Sequence, residues 1–336
     1  MNILHIAPLT KPLPPQGYGG AERVVHWLAK ALAELGHKVY VATLPGKDQT
    51  LPYELIELPL RPVGEKYEKQ DYVKACKFLG EHLPRDLDII HGHSAGNIYH
   101  TREIGSGACE IRKYSLLPLL ITIHGLNERL PQDKSIEVCF ISRSQMQKYG
   151  YSQRIIHNPI DSSEYIFSEE KEDFLLWMSK LSWKEKGLDI AIEVASKGKY
   201  DLFVAGPGLN RGIEKKLKGR IKYIGELSGA VKANYLARAR AFLHTAVWEE
   251  PFGIAVVEAM ISGTPVLAFN LGAMPEIIDS GHTGFICRDA EEMRQAIGRI
   301  GSLSPRDCRN WAMGNFESHE IARQYLNLYG DIIKAR

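Results

Sequence analysis

The sequence predicts an α/β protein with two domains, each built on a parallel sheet. Three observations predict it. Residues 2–9 form a short apolar run, followed by a loop rich in Pro and Gly, an amphipathic segment at 21–35 and a second apolar run at 37–44. Strand, loop, helix and strand in that succession make one unit of a parallel sheet. The second half repeats this architecture with different residues: an apolar run at 174–178, a helical segment at 188–196 and another run at 201–205. A chain of 336 residues is long enough for two cores of ordinary size. The expected boundaries are 1–160 for the first domain, 161–315 for the second, and 316–336 for a final helix.

Taken in order, the helix over 21–35 carries Val24, Val25, Leu28, Leu32 and Leu35 on one side and closes at Gly36. A short strand is predicted at 56–60 and a mixed-charge helix with a solvated outer face at 65–83. Further strands are expected at 88–94, 119–123 and 138–142. The change of domain falls near 155–161, at Ile-Ile-His-Asn-Pro-Ile-Asp. In the second half, strands are expected at 221–224, 241–245 and 265–269, and a helix at 228–238. The last helix, 318–333, has Ile321, Tyr325, Leu328 and Ile332 as its stripe.

Composition excludes several classes. Hydrophobic residues at 44% and charged residues at 24% are those of a soluble globular protein. A net charge of +2 gives no argument for nucleic acid, and contact with a membrane surface would need a local basic patch. Five cysteines, Cys76, Cys109, Cys139, Cys287 and Cys308, are scattered without a CxxC pair. That argues against a disulfide framework or a zinc site and suits a reducing compartment. The segment from Met1 to Pro8 lacks a basic region before its short apolar run and reads as a strand rather than a signal peptide. No apolar run approaches the ~20 residues needed to span a bilayer. The expected location is the cytoplasm, with the inner membrane surface as the alternative.

The stretch that organises the chemistry runs from Trp248 to Met260, W-E-E-P-F-G-I-A-V-V-E-A-M. It reads as a loop turning into a helix, with Pro251 preset for the helix start, Ile254, Val257 and Ile261 as a buried stripe, and Gly263 as the stop. Unpaired amides near Phe252, Gly253 and Ile254 would form an anion site favoured by the helix dipole. Glu250 sits just before that site, and Glu258 lies roughly 7 Å further along the axis. Such a pair can accept hydrogen bonds from hydroxyls on two parts of one phosphate-bearing ligand, and a nucleotide-sugar is such a ligand. On spacing alone a second reading stands equally: Glu250 caps the helix and Glu258 is solvated.

Other motifs carry less by themselves. Lys180 and Lys186 lie on a loop entering a helix, in S-K-L-S-W-K-E-K-G, and two such cations suit a diphosphate clamp; a solvated loop with ordinary lysines is the alternative. Gly19 and Gly20 let backbone approach a ligand at the start of the first helix, but the loop is not a GxGxxG. Asp86-Leu87-Asp88 matches a DxD metal–nucleotide pattern by chance before a strand. His91 and His93 alternate at a strand end and lack a third zinc ligand in the sequence. His124 follows the strand at 119–123, where the carboxyl end of a parallel strand can touch substrate.

The run from Glu250 to Glu258, with Pro-Phe-Gly after the first Glu and Ala-Met after the second, resembles the E-x7-E signature of retaining glycosyltransferases of family 4. The resemblance extends over nearly the whole chain: Gly-Tyr-Gly-Gly-Ala-Glu-Arg at 17–23, Thr-Ile-His-Gly at 122–125, Ser142, Asn-Pro-Ile-Asp at 158–161, the Lys180–Lys186 segment, the strand ends at Gly206 and Gly225, and Leu-Gly-Ala-Met-Pro-Glu at 271–276. It departs from the family in having Lys180 where Arg is usual, Pro159 in place of a Gly, and Ala273 in place of a Gly. The resemblance implies a GT-B fold: two Rossmann-like domains facing across a cleft, with the C-terminal helix crossing back to the N-terminal domain. It implies that Glu250 faces the donor sugar, that Glu258 holds the ribose, and that His124 points at the sugar in a binding or polarising role. Gly19, Gly20 and Gly206 would line the donor phosphates or nucleotide, with Lys180, Lys186, Phe252, Gly253 and Ile254 around the diphosphate.

The expected activity is transfer of a hexose-type sugar from a UDP- or GDP-linked donor to a hydroxyl acceptor, with retention of configuration and without a metal or other cofactor. The donor side is the second domain and the acceptor side the first. The acceptor would be a carbohydrate, a lipid-linked group or a small molecule. Glu250, Lys186 and His124 are the residues expected at the reaction centre. Rival readings are a GT-B epimerase or phosphorylase, a non-catalytic nucleotide-sugar-binding protein and, more remotely, a nicotinamide dehydrogenase, whose glycine loop would have another pattern.

Overall fold

The structure is a computed structural model, and it describes residues 1–15, 17, 19–46, 50–60, 69–93, 117–128, 130–131, 133–152 and 154–335. Tyr18 of the glycine loop, Ser94, Cys109 and the start of the helix predicted at 65–83 lie outside the described residues. The chain divides into two compact units. The first comprises Met1–Ile141, Met146–Pro159 and Ser318–Arg336, and the second Ser142–Gln145 and Ile160–Glu317.

The sheet of the first unit contains β1 (Asn2–Ile6), β2 (Lys38–Thr43), β3 (Glu54–Glu57), β4 (Ile89–Gly92), β5 (Leu119–Ile123) and β6 (Glu137–Phe140). All pairings are parallel and the order is β3-β2-β1-β4-β5-β6. Successive residues of β1 enter opposite cores: Ile3 packs with α1 (Gly20–Glu34), and Leu4 with α2 (Lys69–His82). A sheet covered on both faces needs apolar residues at every strand position rather than alternate ones. In α1, Val24, Val25, Leu28 and Leu32 are buried as the stripe predicts, and Trp27, Ala29 and Ala31 are buried beside them. α2 buries Ala75 and Leu79 of one face against the sheet and keeps Lys74, Lys77 and Glu81 exposed on the other, the solvated outer face expected. The strand predicted at 56–60 is β3, two residues earlier, where Glu54 to Glu57 pair in register with Tyr40 to Thr43. A short helix, α3 (Arg143–Lys148), follows β6.

The second unit repeats the design. Its strands are β7 (Phe174–Met178), β8 (Asp201–Ala205), β9 (Ile221–Tyr223), β10 (Ala241–His244), β11 (Val266–Phe269) and β12 (Gly284–Cys287), in the order β12-β11-β10-β7-β8-β9. Its helices are α4 (Leu188–Ser196), α5 (Arg211–Glu214), α6 (Gly229–Arg238), α7 (Ile254–Ile261), α8 (Met274–Ile277), α9 (Ala290–Ile297) and α10 (Pro305–Phe316). α4 and α9 cover one face, and α7 packs with α10 and α6. Numbered from its own first strand, each sheet has the order 3-2-1-4-5-6. In such sheets ligands bind outside the carboxyl ends of the strands, where the order reverses. The reversal lies between β1 and β4 in the first unit, and between β7 and β10 in the second.

The last helix, α11 (Ser318–Lys334), belongs to the first unit and packs along α1. Ile321, Tyr325 and Ile332 are buried as the stripe predicts, while Leu328 is half-buried and Ala322 and Tyr329 complete the buried face. The Tyr329 hydroxyl lies 2.7 Å from Nδ1 of His91 on β4. Tyr329→Ala is therefore expected to cost about 3–5 kcal/mol in urea unfolding, against less than about 0.5 kcal/mol for Asn327→Ala on the exposed side of the same helix.

Candidate active site

β7 ends at Met178, and the chain passes through Lys180 to a single helical turn, Lys184–Lys186, before α4. Ser179 N–H donates to Ala205 O and Leu181 N–H to Pro207 O, which holds the start of this loop against the exit of β8. Gly206, at φ +133°, permits the contact: a Cβ there would stand 1.8 Å from Ser179 O. The end of the loop is held by β10. Thr245 Oγ1 donates to Gly187 O at 2.8 Å and accepts from Trp177 Nε1 at 3.0 Å, and Val247 N–H donates to Glu185 O.

These anchors set the two cations. Lys186 Nζ lies 2.5 Å from Glu250 Oε2, with side-chain exposures of only 11% and 13%. Trp248 Nε1 donates to the same carboxylate oxygen at 3.1 Å, and Lys186 Nζ stands 4.7 Å from the Trp248 ring centroid. Lys180 Nζ lies 4.8 Å from the ring of Trp183, which is 45% exposed, and Lys186 lies 6.0 Å from the same ring. Among the described residues Lys180 makes no ion pair with a carboxylate.

The helix of the organising stretch starts later than Pro251 implies. α7 begins at Ile254, with Gly253 as its N-cap at φ 88°, a left-handed residue that breaks any right-handed turn begun at Pro251. The Phe252 ring is buried edge-to-face against Phe316, so it offers the site only backbone. Ile254 is half-buried, and Val256, Val257, Ala259, Met260 and Ile261 are buried, which makes α7 apolar nearly all round. The reading of Glu258 as solvated is overturned. Its side chain is buried on α7, where Tyr165 donates to Oε1 at 2.6 Å and Lys232 Nζ lies 2.7 Å from the same atom. Glu250 does not act as the N-cap, because Gly253 occupies that position.

The loop after β11 closes on Glu250 through Ala273 N–H, which donates to Glu250 O at 2.9 Å. Gly272 carries the left-handed turn at φ +58°, and a Cβ there would stand 2.4 Å from Glu250 O. Ala273, which stands in place of the family's Gly, has an ordinary right-handed φ of −79° and needs no glycine.

In the first unit Gly19 is the N-cap of α1 and Gly20 its first residue. His124 follows β5, with Nε2 3.1 Å from His93 Nδ1, and its backbone N–H donates to Glu128 Oε1 at 3.0 Å. Register supplies the third histidine that the sequence lacks: His5 pairs with His91 across β1 and β4, and ring nitrogens of His5, His91 and His93 all lie within 4.8 Å of one another. Those nitrogens are largely engaged, however. His91 bonds to Tyr329 and Thr122, and His93 to His5 and His124. Burial pushes His5 down to about 3 and His124 to about 4, and holds His91 and His93 well below the ordinary range. Asp86 and Asp88 bond to Asn2 at the opposite, amino end of β1, away from the strand exits.

Sequence reasoning missed Lys232, Tyr165, Trp248 and His244. The last ends β10 with Nε2 buried and unpartnered, and burial lowers it to about 4.

Two six-stranded parallel sheets of one order are the architecture of the GT-B class of glycosyltransferases. Known proteins agree. The "Glycosyl transferases group 1" family matches residues 172–302, and "Glycosyltransferase Family 4" matches residues 18–164. The chain belongs to glycosyltransferase family 4. An uncharacterized 41.2 kDa protein of the cps region of Klebsiella pneumoniae is 28% identical over 155 residues, covering 44% of this chain and 43% of that protein. The structure of AviGT4, a glycosyltransferase involved in avilamycin A biosynthesis, superposes with a TM-score of 0.74 at 25% identity, covering 100% of this chain and 99% of that one. Anabaena HepE, solved with UDP-glucose, shares the fold at a TM-score of 0.71 and 19% identity, covering 98% and 100%.

Two outcomes follow. Lys232→Met leaves the Glu258 carboxylate buried without its cation and should cost about 3–5 kcal/mol in urea unfolding, most of it regained in the double variant Lys232→Met/Glu258→Leu. The buried histidines bind protons when the chain unfolds and not when it is folded. Stability is therefore full above about pH 6.5, the unfolded value, and falls towards pH 4 by up to about 1.4 kcal/mol per pH unit for each of His5, His91, His93 and His124. Urea midpoints measured from pH 7.5 to 4.5 check the sign and slope.

Proposed function

We propose that the protein transfers a hexose from a nucleoside-diphosphate sugar to a hydroxyl of an acceptor, with retention of configuration and without a metal. The observation that carries this reading is the ion pair of Lys186 with Glu250, set beside the N-terminus of α7 at the reversal of strand order. A diphosphate placed there meets a cation already extended by its carboxylate partner, a second cation at Lys180 and the first amides of an eight-residue helix. Charge builds on the departing phosphate oxygen as the sugar C1–O bond breaks. These groups stabilise it without reorganising.

The remaining roles extend the same reading. Glu250 Oε1 takes hydroxyls of the sugar while Oε2 stays with Lys186. Glu258, held by Tyr165 and Lys232, presents its carboxylate to the ribose hydroxyls. His124, neutral, takes part as a hydrogen-bond partner of the sugar and not as a base, Gly19 and Gly20 serve the donor phosphates, and the first unit takes the acceptor. The acceptor oxygen attacks C1 from the face the diphosphate leaves, and its proton passes to the departing phosphate oxygen. Uridine nucleotides are the first donors to test, because HepE was solved with UDP-glucose, and guanosine nucleotides the second.

Thermal-shift measurement across nucleoside diphosphates and their sugars is expected to show stabilisation by one base, as ligand binding to the folded state requires. With the matching donor, nucleoside diphosphate should accumulate only when acceptor is present, and the product anomer read by NMR should match the donor. Release without acceptor supports an epimerase or hydrolase instead, a phosphate requirement supports a phosphorylase, and binding without release supports a non-catalytic protein. Lys186→Ala should lower kcat by about 10²–10³-fold while the urea unfolding curve stays cooperative. Normal turnover in that variant discards the diphosphate role.

A further inference from the structure

At the carboxyl ends of β1, β4 and β5, three imidazoles form a chain through the first unit. His5 Nδ1 lies 2.9 Å from His93 Nε2, and His93 Nδ1 lies 3.1 Å from His124 Nε2. His5 and His93 are buried, and His124 is half-buried. A neutral imidazole has one N–H and one lone pair. His93 therefore donates to one neighbour and accepts from the other, so the whole chain runs in a single direction. The end of the chain selects that direction. His5 Nε2 is buried and unpartnered. If the donors pointed inward from His124, the His5 proton would sit on this atom as an orphaned N–H. If they point outward, the atom is a bare nitrogen. Orphaned buried N–H groups are the rarer defect. His91 stands alongside, but both of its nitrogens are taken, by Tyr329 and Thr122, so it does not divert the chain.

We propose that His5 and His93 are positioning residues that hold His124 as the neutral tautomer protonated on Nδ1, with that N–H offered to an oxygen of the nucleotide-sugar. The inference rests on the role given to His124 above and says which way its ring is wired. His93 Nδ1–H donates to His124 Nε2, so His124 keeps no open lone pair. The ring is a donor that cannot serve as a base, and it resists protonation. The titratable and charged groups facing it among the described residues are His93, His91 and His5 from the strand ends and Glu128 from its own loop. The Glu128 carboxylate accepts from the His124 and Gly125 amides, and the Tyr149 hydroxyl accepts from Glu128 N–H. Burial acts in the same sense, taking His124 to about 4.

Ring-nitrogen shifts of protein labelled with ¹⁵N-histidine test this without donor present, the His124 signals being those lost in His124→Asn. The expected spectrum has a protonated Nδ1 and a bare Nε2, unchanged from pH 8 to 5.5. In His93→Phe the ring stays buried and neutral but loses the bond that fixes its tautomer, so the Nδ1 and Nε2 signals should move towards a mixture of the two neutral forms, and the donor KM at pH 7.5 should rise about five- to tenfold with less change in kcat. His93→Gln, whose amide can accept from His5 and donate to His124, should restore both. A protonated Nε2 in the unaltered protein overturns the inference, and so does a His93→Phe spectrum identical to it. The first result needs no variant to fold. Failure of donor binding would strike the proposed function and leave the tautomer standing, whereas the opposite tautomer with normal turnover would strike this inference alone.

Discussion

The ion pair between Lys186 and Glu250 is the contact on which the second unit's strand exits depend. It joins the loop after β7 to the loop after β10, across the point where strand order reverses. Both side chains are largely withdrawn from water, and neither charge would be stable there alone. Their neighbours exist to hold the two loops at that distance. Thr245 and Val247 tie the lysine loop to β10, Gly206 lets it lie against β8, and Gly272 lets the following loop close over the Glu250 backbone.

A second acid–base pair has its carboxylate within α7 itself. Glu258 is buried because α7 is apolar nearly all round, and a carboxylate at that depth must be neutralised and bonded. Lys232 comes from α6, and Tyr165 from the chain entering the second unit. The second unit thus holds two buried acid–base pairs, one with its carboxylate in the loop before α7 and one with its carboxylate within that helix.

The first unit follows a different principle at the equivalent reversal. There the exits of β1 and β4 carry histidines, and burial keeps them uncharged. One sheet end carries paired charges, and the other neutral hydrogen-bonding rings. The shared strand order allows this because it fixes where a site lies and leaves its chemistry to the side chains.

The sequence by itself determined the class of fold, since apolar runs separated by amphipathic helices can bury their faces only as covered parallel sheets. α1 and α11 were legible from their stripes, whereas Glu250, Glu258, Lys180 and Lys186 stood out as candidates only through the resemblance of their motifs, since spacing alone left an ordinary cap and a solvated loop open. Edges were less legible. α7 starts three residues after Pro251 because the left-handed Gly253 intervenes, and β3 is placed by its register with β2. Tertiary structure alone decided the partners of the charges. Lys232 and Tyr165 stand 26 and 93 residues from Glu258, and His5 lies 86 positions before the His91 it faces. No periodicity links such residues. They meet because parallel strands bring their carboxyl ends side by side, and because a buried charge must find its counterpart wherever the chain happens to pass.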